Sequence, residues 1–204
     1  MSELVLIGGG GHCNSVIDVI KDTREFNIRC IFENKDRVLI KRDIPYVFGD
    51  EKIVEYIGSD VQFFVTIGQI KSSLKREKMF NLVKLSGGDF ATIKSKHSYI
   101  SEASLVGEGT FIGHGAIINC NVNIGNNCII NSKSLIEHDV SVGSHCHIST
   151  GAIINGSVQI GDRVFIGSGA VISNNVKVGS GAIIGAGEIV KQDVTPNSLI
   201  NRKY

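Results

Sequence analysis

The chain carries no surplus of charge. Its 204 residues hold 21 Lys and Arg against 20 Asp and Glu. The two signs are interspersed and form no basic stripe, so nothing points to nucleic acid as a partner. No apolar run reaches transmembrane length, so no membrane partner is expected. The opening, Met1-Ser2-Glu3-Leu4-Val5-Leu6-Ile7-Gly8, has no basic n-region and too short an apolar stretch for a signal peptide. Cysteine is sparse and odd in number, five residues without a secretory context, which points to a reduced, cytoplasmic protein. Turn signals at the irregular spacing of about 8–12 residues that marks a sandwich of short strands are also missing.

What the chain does have is a clock. Sixteen aliphatic residues recur every six positions from Ile100 to Val190, through Ile112, Ile118, Ile136, Ile154, Ile166 and Ile184. Gly often follows, as at Gly107, Gly113, Gly161 and Gly185, and a small or β-branched residue stands four positions after the aliphatic one. One hexad cannot bury its own apolar residue, so hexads must stack. The pattern predicts a parallel β-helix of triangular coils, three hexads to a coil, about five coils and roughly 25 Å long. The aliphatic residue and the small one point inward. The Gly at the second position suits a corner backbone of unusual φ. Cys128 and Cys146, one coil apart, read as small core residues.

Residues 1–95 read as a separate small α/β domain, and 96–204 as the β-helix domain. Leu4–Ile7 is an unbroken apolar run, as in a buried parallel strand. It ends in Gly8-Gly9-Gly10-Gly11-His12, and Val16, Ile17 and Ile20 follow at helical spacing. Residues 28–32 and 61–67 read as further strands, with a short helix after Asp50 and another running from Ser72 or Ser73 to Leu85. This order is a small doubly wound sheet, a half-Rossmann unit. A glycine loop between a strand and a helix offers backbone N–H groups and a helix dipole to a phosphate. The match to G-x-G-x-x-G is incomplete, because Cys13 holds the third Gly position.

V-G-E-G-T-F-I-G-H-G-A-I (106–117) and I-G-D-R-V-F-I-G-S-G-A-V (160–171) resemble the hexapeptide-repeat acyltransferases. With G-G-G-G-H (8–12), C-I-F (30–32), T-I-G (66–68) and N-S-K-S-L-I-E-H-D-V-S-V-G-S-H-C-H-I-S-T-G-A (131–152), the whole chain is similar to the PglD/NeuD-type sugar acyltransferases. That resemblance implies a left-handed β-helix that binds acetyl-CoA between subunits of a homotrimer, and an N-terminal unit that holds a nucleotide-linked sugar. It implies a sugar-nucleotide site at Gly10, Gly11, His12, Asn34, Lys35, Gly68 and Asn131, and an acetyl-CoA site at His147, Ser168 and Ala186. Relatives tend to carry paired acidic residues where this chain has Glu33-Asn34-Lys35. They also end in G-x-P-A-K over the CoA, a contact that Arg202 or Lys203 would supply here.

His114, His138, His145 and His147 lie inside the repeat, none at an inward position. A solvent-facing role suits His114 and His145. His138 has Glu137 and Asp139 beside it, and an acceptor for one imidazole N–H raises the basicity of the other nitrogen. In the resemblance His138 is the general base, Asp139 the acidic residue after it, and His147 a donor to the thioester carbonyl or nearby CoA. A zinc site fails on spacing: the four histidines are 24, 7 and 2 residues apart, and no metal is expected. The expected activity is acetyl-CoA-dependent N-acetylation of a nucleotide-linked amino sugar by direct attack, within surface glycan biosynthesis. O-acetylation of a sialic-acid-like sugar and a non-catalytic β-helix binding module are the alternatives. The trimer expectation has its own support: no hexad is interrupted by a long insertion, and the flat sides read as rich in small polar residues.

Overall fold

The structure, a computed structural model, describes residues 2–34, 43–58, 60–69 and 71–201. Lys35, Arg202 and Lys203 lie outside the described residues. The N-terminal unit runs β1 (Ser2–Ile7), α1 (Gly11–Thr23), β2 (Phe26–Glu33), β3 (Tyr46–Phe48), a 3₁₀ helix (Asp50–Tyr56), β4 (Val61–Val65), α2 (Leu74–Leu85) and β5 (Asp89–Phe90). The five strands form one parallel sheet in the order β3-β2-β1-β4-β5. The chain steps outward from β1 to β3, then crosses back to β4 on the other side of β1. The crevice beyond the carboxyl ends of β1 and β4 is therefore the topological switch point, the usual ligand position in such sheets.

The second unit is a left-handed parallel β-helix with three flat faces. The first face stacks seven two-residue strands, from Ile93–Lys94 through Phe111–Ile112, Ile129–Ile130 and His147–Ile148 to Leu199–Ile200. The second stacks six, from Tyr99–Ile100 to Ile189–Val190, and the third five, from Leu105–Val106 to Lys177–Val178. Each pair is parallel and in register with the residue one coil on, as in Ile118↔Ile136 and Ile136↔Ile154. From Ile112 onward the clock residues are buried, most of them completely. The β-helix begins one strand before the clock, and there Lys94 takes the inward register, opposite Ile112, and stays exposed at the open end.

Glycine works differently from the expectation. The second-position glycines do not have positive φ. A Cβ at Gly113 would lie 2.8 Å from Ser132 N, and at Gly125 or Gly143 2.7 Å from the backbone N of Ser144 or Asp162, one coil on. These glycines let coils approach. The left-handed backbone falls at the fourth position instead, at Gly115 and Gly169 and also at Asn127, Asp139, His145 and Arg163, with φ between 54° and 67°.

The two units are fused across the first face. Phe111 and Ile129 point out of the prism but are buried under α1, together with Ile93, Leu6, Val16, Ile20 and Phe64. On the far side of the sheet α2 and the 3₁₀ helix pack over Phe32, Phe63 and Val65. Burial of each large apolar side chain contributes about 1.5–3 kcal/mol, so this seam is a continuous core. No helix among the described residues is long and apolar enough to cross a membrane.

Candidate functional site

Gly8 ends β1 at φ +110°, and a Cβ there would lie 2.7 Å from Ile67 Cγ1, so the turn requires glycine. Thr66 locks the turn from β4: its hydroxyl donates to Ile7 O at 3.0 Å and approaches Gly8 O. Glu33, at the end of β2, accepts from Gly9 N at 2.7 Å and from Asn34 N at 2.8 Å. Its carboxylate is thus occupied in shaping the loop. Gly10 and Gly11 face open space where a Cβ would meet nothing within 4 Å. Helix α1 starts there with no side-chain cap and no acidic residue in its first turn. A glycine loop without side chains in the way, beside a helix start with no side-chain cap, fits a diphosphate.

A cavity of about 540 Å³ opens at this point. Gly8, Gly10, Gly11, His12, Glu33, Thr66, Gly68, Gln69, Lys75, Asn131 and His147 line it, so both units contribute. The structure therefore brings together Gly10, Gly11, His12, Gly68, Asn131 and His147. Asn34 stands apart, in a neighbouring cavity of about 410 Å³ with Phe48, Gly49 and Asp50, joined to the first through Glu33. His12 packs edge-on against Phe111 at 5.1 Å. Burial, then the nearby His147 and Arg76, push its pKa down to about 3. His147 Nδ1–H donates to Gln69 O at 2.9 Å. Burial lowers its pKa to about 4, with the Arg76 charge adding to the shift and the Gln69 bond opposing it. Both rings are neutral at pH 7, and both Nε2 atoms are buried without a hydrogen-bond partner among the described residues.

This geometry corrects one reading. With Nδ1–H committed to Gln69, His147 Nε2 is an acceptor, so it has no proton to donate to a thioester carbonyl.

Two further histidines do more than face solvent. His114 is partly exposed but also paired: its Nδ1 and Ser95 Oγ hydrogen-bond at 2.7 Å, and its Nε2 contacts Asp18 of α1 at 3.1 Å. His145 is half-buried, accepts from Asn127 Nδ2 at 2.9 Å and meets the Phe80 ring edge-on at 5.6 Å. Burial lowers its pKa. Both staple the N-terminal unit to the prism, which the repeat pattern alone cannot reveal.

His138 and Asp139 sit elsewhere. They occupy the corner between the second and third faces, opposite the first face that carries His147 and the cavity. His138 Nδ1 and Asp139 Oδ2 are 2.8 Å apart. Asn121, one coil earlier, donates to Asp139 Oδ1 at 3.1 Å. The His138 bond, and then the Asn121 bond, hold the Asp139 carboxyl below its ordinary range. Asp139 stands at φ 61°, a turn that an Asp tolerates. Gly156, one coil after His138, leaves room for the imidazole, and a Cβ there would lie 2.7 Å from its Cε1 and Nε2. Asn121 and Gly156 escaped the sequence reading, although both fall eighteen residues from the pair. Gly156 is at the third position of its hexad, off the glycine pattern, and that anomaly was the available signal.

Ser168 and Ala186 are exposed on the corner between the first and second faces, one coil apart. The structure brings them together with each other, but not with His138. The described residues contain no group of three or more His, Cys, Asp or Glu placed to hold a metal ion.

Residues 3–83 match the PglD N-terminal domain, and residues 157–187 match the bacterial transferase hexapeptide (six repeats). No curated protein matches the chain. Among solved structures, it is similar to a mutant of perosamine N-acetyltransferase from Caulobacter crescentus in complex with CoA and GDP-perosamine. That likeness has 27% identity, covers 98% of this chain and 93% of the other, and has a TM-score of 0.89. The acetyltransferase domain of PglB from Neisseria gonorrhoeae, in complex with acetyl coenzyme A, is 21% identical over 97% and 95% of the two chains, with a TM-score of 0.88. WeeI from Acinetobacter baumannii is 21% identical over 98% and 97%, at 0.84. The two likenesses at 21% establish the fold, and the Caulobacter likeness also bears out the expected enzyme class.

Proposed function

From this union of a PglD N-terminal domain with hexapeptide repeats, the make-up of the PglD/NeuD-type sugar acyltransferases, we propose an acetyl-CoA-dependent N-acetyltransferase acting on a nucleotide-linked amino sugar. The observation that carries it is the pairing, on one scaffold, of a glycine-loop cavity suited to a diphosphate with an oriented His138–Asp139 pair. The Caulobacter relative, an N-acetyltransferase bound to CoA and a GDP-linked sugar, supports the same ligands here.

His138 donates its Nδ1 proton to the Asp139 carboxylate, which leaves Nε2 with a lone pair. In the reaction the amine nitrogen attacks the thioester carbon and passes a proton to Nε2. The tetrahedral intermediate collapses as the C–S bond breaks, CoA leaves as a thiolate, and the proton on His138 passes to it. Asp139 stabilises the imidazolium formed between these steps. No acyl-enzyme is needed.

His138 and the cavity lie on opposite sides of the prism, so one chain cannot bring its own base to its own sugar. A second copy must supply it, and a closed ring of three copies satisfies every site. The faces support this. The third face points Asn123, Ser141, Gln159 and Lys177 outward. The second face instead carries an apolar ladder of Tyr99, Ile117, Leu135, Ile153, Val171 and Ile189, several rungs of it exposed. The expectation of sides rich in small polar residues fails for this face, and its apolar ladder supports the trimer reading.

The test is acetyl transfer, followed as released CoA thiol, to UDP-, dTDP-, GDP- and CMP-linked amino sugars. His138→Ala should lower kcat by roughly 10²–10⁴-fold, with Asp139→Asn costing less. A trimeric, folded His138→Ala that keeps more than a third of wild-type turnover would refute the assignment of the base.

A further inference from the structure

Arg76 of α2 is 1% exposed, an expensive place for a charge. Its Nε donates to Asn127 O at 3.2 Å, and its Nη2 to Gln69 Oε1 at 2.8 Å and to Cys146 O at 3.3 Å, with His145 O also in contact. These acceptors come from two successive coils of the prism and from the segment after β4. Gln69 is held a second time, by its Nε2 donating to Arg163 O at 3.4 Å. Both atoms of its side-chain amide are thus tied, and its main chain receives His147 Nδ1–H at 2.9 Å.

Resting on the acetyltransferase reading above, we propose that Arg76 and Gln69 position His147 as a hydrogen-bond acceptor for an N–H or O–H group of the sugar. His147 then belongs to the sugar-nucleotide cavity rather than to the thioester. Three observations carry this. The Gln69 carbonyl can only accept, which dictates the tautomer. The cavity that His147 lines is the one the glycine loop lines. Its Nε2 is buried and unpartnered, a deficit that a donor on a bound ligand removes. The Arg76 charge works in the same direction by keeping the ring unprotonated. Arg76 touches no ligand; it is a positioning residue.

The test uses the full-length protein with ¹⁵N-labelled histidine. In the ligand-free wild type at neutral pH, long-range ¹H–¹⁵N correlations should show His147 as the Nδ1–H tautomer. Arg76→Met should populate both tautomers. Where that variant fails to fold by circular dichroism, Gln69→Leu removes the Oε1 tie, keeps the main-chain acceptor and should shift the tautomer in the same direction. In turnover, His147→Ala should raise KM for the nucleotide sugar about tenfold, the loss of one buried hydrogen bond, and leave KM for acetyl-CoA within about twofold.

A wild type that turns over substrate with His147 as the Nε2–H tautomer overturns the inference. So does a His147→Ala enzyme with weakened acetyl-CoA and unchanged sugar. A wild type that binds neither acetyl-CoA nor a nucleotide sugar in thermal shift overturns the proposed function instead, while the tautomer still reports on the Arg76–Gln69–His147 relay.

Discussion

Gly156→Ala places one methyl group against the proposed base. A Cβ at residue 156 lies 2.7 Å from both Cε1 and Nε2 of His138, whereas non-bonded heavy atoms settle at about 3.5–4.0 Å. Relief requires the ring to move by about 1 Å. Gly156 does not have positive φ, so alanine fits its backbone. The His138 side chain is 53% exposed, so it can swing toward solvent at small cost to stability. Movement on that scale breaks the 2.8 Å bond to Asp139. Misplacing a reacting group by about 1 Å costs roughly 10²-fold in rate, or about 2.7 kcal/mol of transition-state stabilisation. The expected variant is trimeric, melts within a few degrees of wild type, keeps its KM for the nucleotide sugar and loses about two decades of kcat. The assay is steady-state CoA release alongside a circular-dichroism melt. A Gly156→Ala enzyme within threefold of wild-type kcat would mean that the position of His138 does not matter to the chemistry.

Acid should destabilise the fold through His12 and His147. Their pKa values of about 3 and about 4 lie below the ordinary 6.5, so below 6.5 the unfolded chain binds protons that the folded chain refuses. At pH 5 each contributes a loss of about 2 kcal/mol relative to pH 7, and His147→Gln should shallow the fall in melting temperature, which a pH series of melts measures. Light scattering should report about three times the 22.0 kDa chain, and Ile117→Asp with Ile153→Asp on the second face should yield a folded, inactive monomer. Asn34→Ala should raise KM for the nucleotide sugar and spare acetyl-CoA, in line with its cavity beyond Glu33; the reverse pattern would exchange the two ligand assignments.

The inward half of the prism was legible because a strict period leaves one solution for what faces in, and Ile112, Ile136, Ile154 and Ile184 are buried as the clock demands. The outward half was not. Phe111, Ile129, His147 and Phe165 occupy the same outward position on successive strands of the first face, yet α1 covers the first two, the cavity reaches His147 and neither fate is encoded within the hexad. Asn127 and His145 take the left-handed corner that glycine was expected to supply, since the tight approach between coils falls on a different residue from the sharp turn. His138 and Asp139 announced themselves by adjacency in sequence. Arg76 and Gln69 could not, because apart from their bond to each other their side chains meet main-chain carbonyls, which carry no residue identity.

The in-register stacking also makes the β-helix a length standard. Each strand pairs only with the strands one coil before and after it, so the prism can grow in whole coils. An insertion of eighteen residues after Val176 would lengthen the axis by about 4.8 Å and leave every pair above it untouched. Loss of a single residue there would turn each downstream inward side chain outward and expose the column that ends at Val190. Change along the body of the prism therefore comes in whole coils, and the shorter step falls at its end, where Ile184 pairs with Ile200 sixteen residues on instead of eighteen.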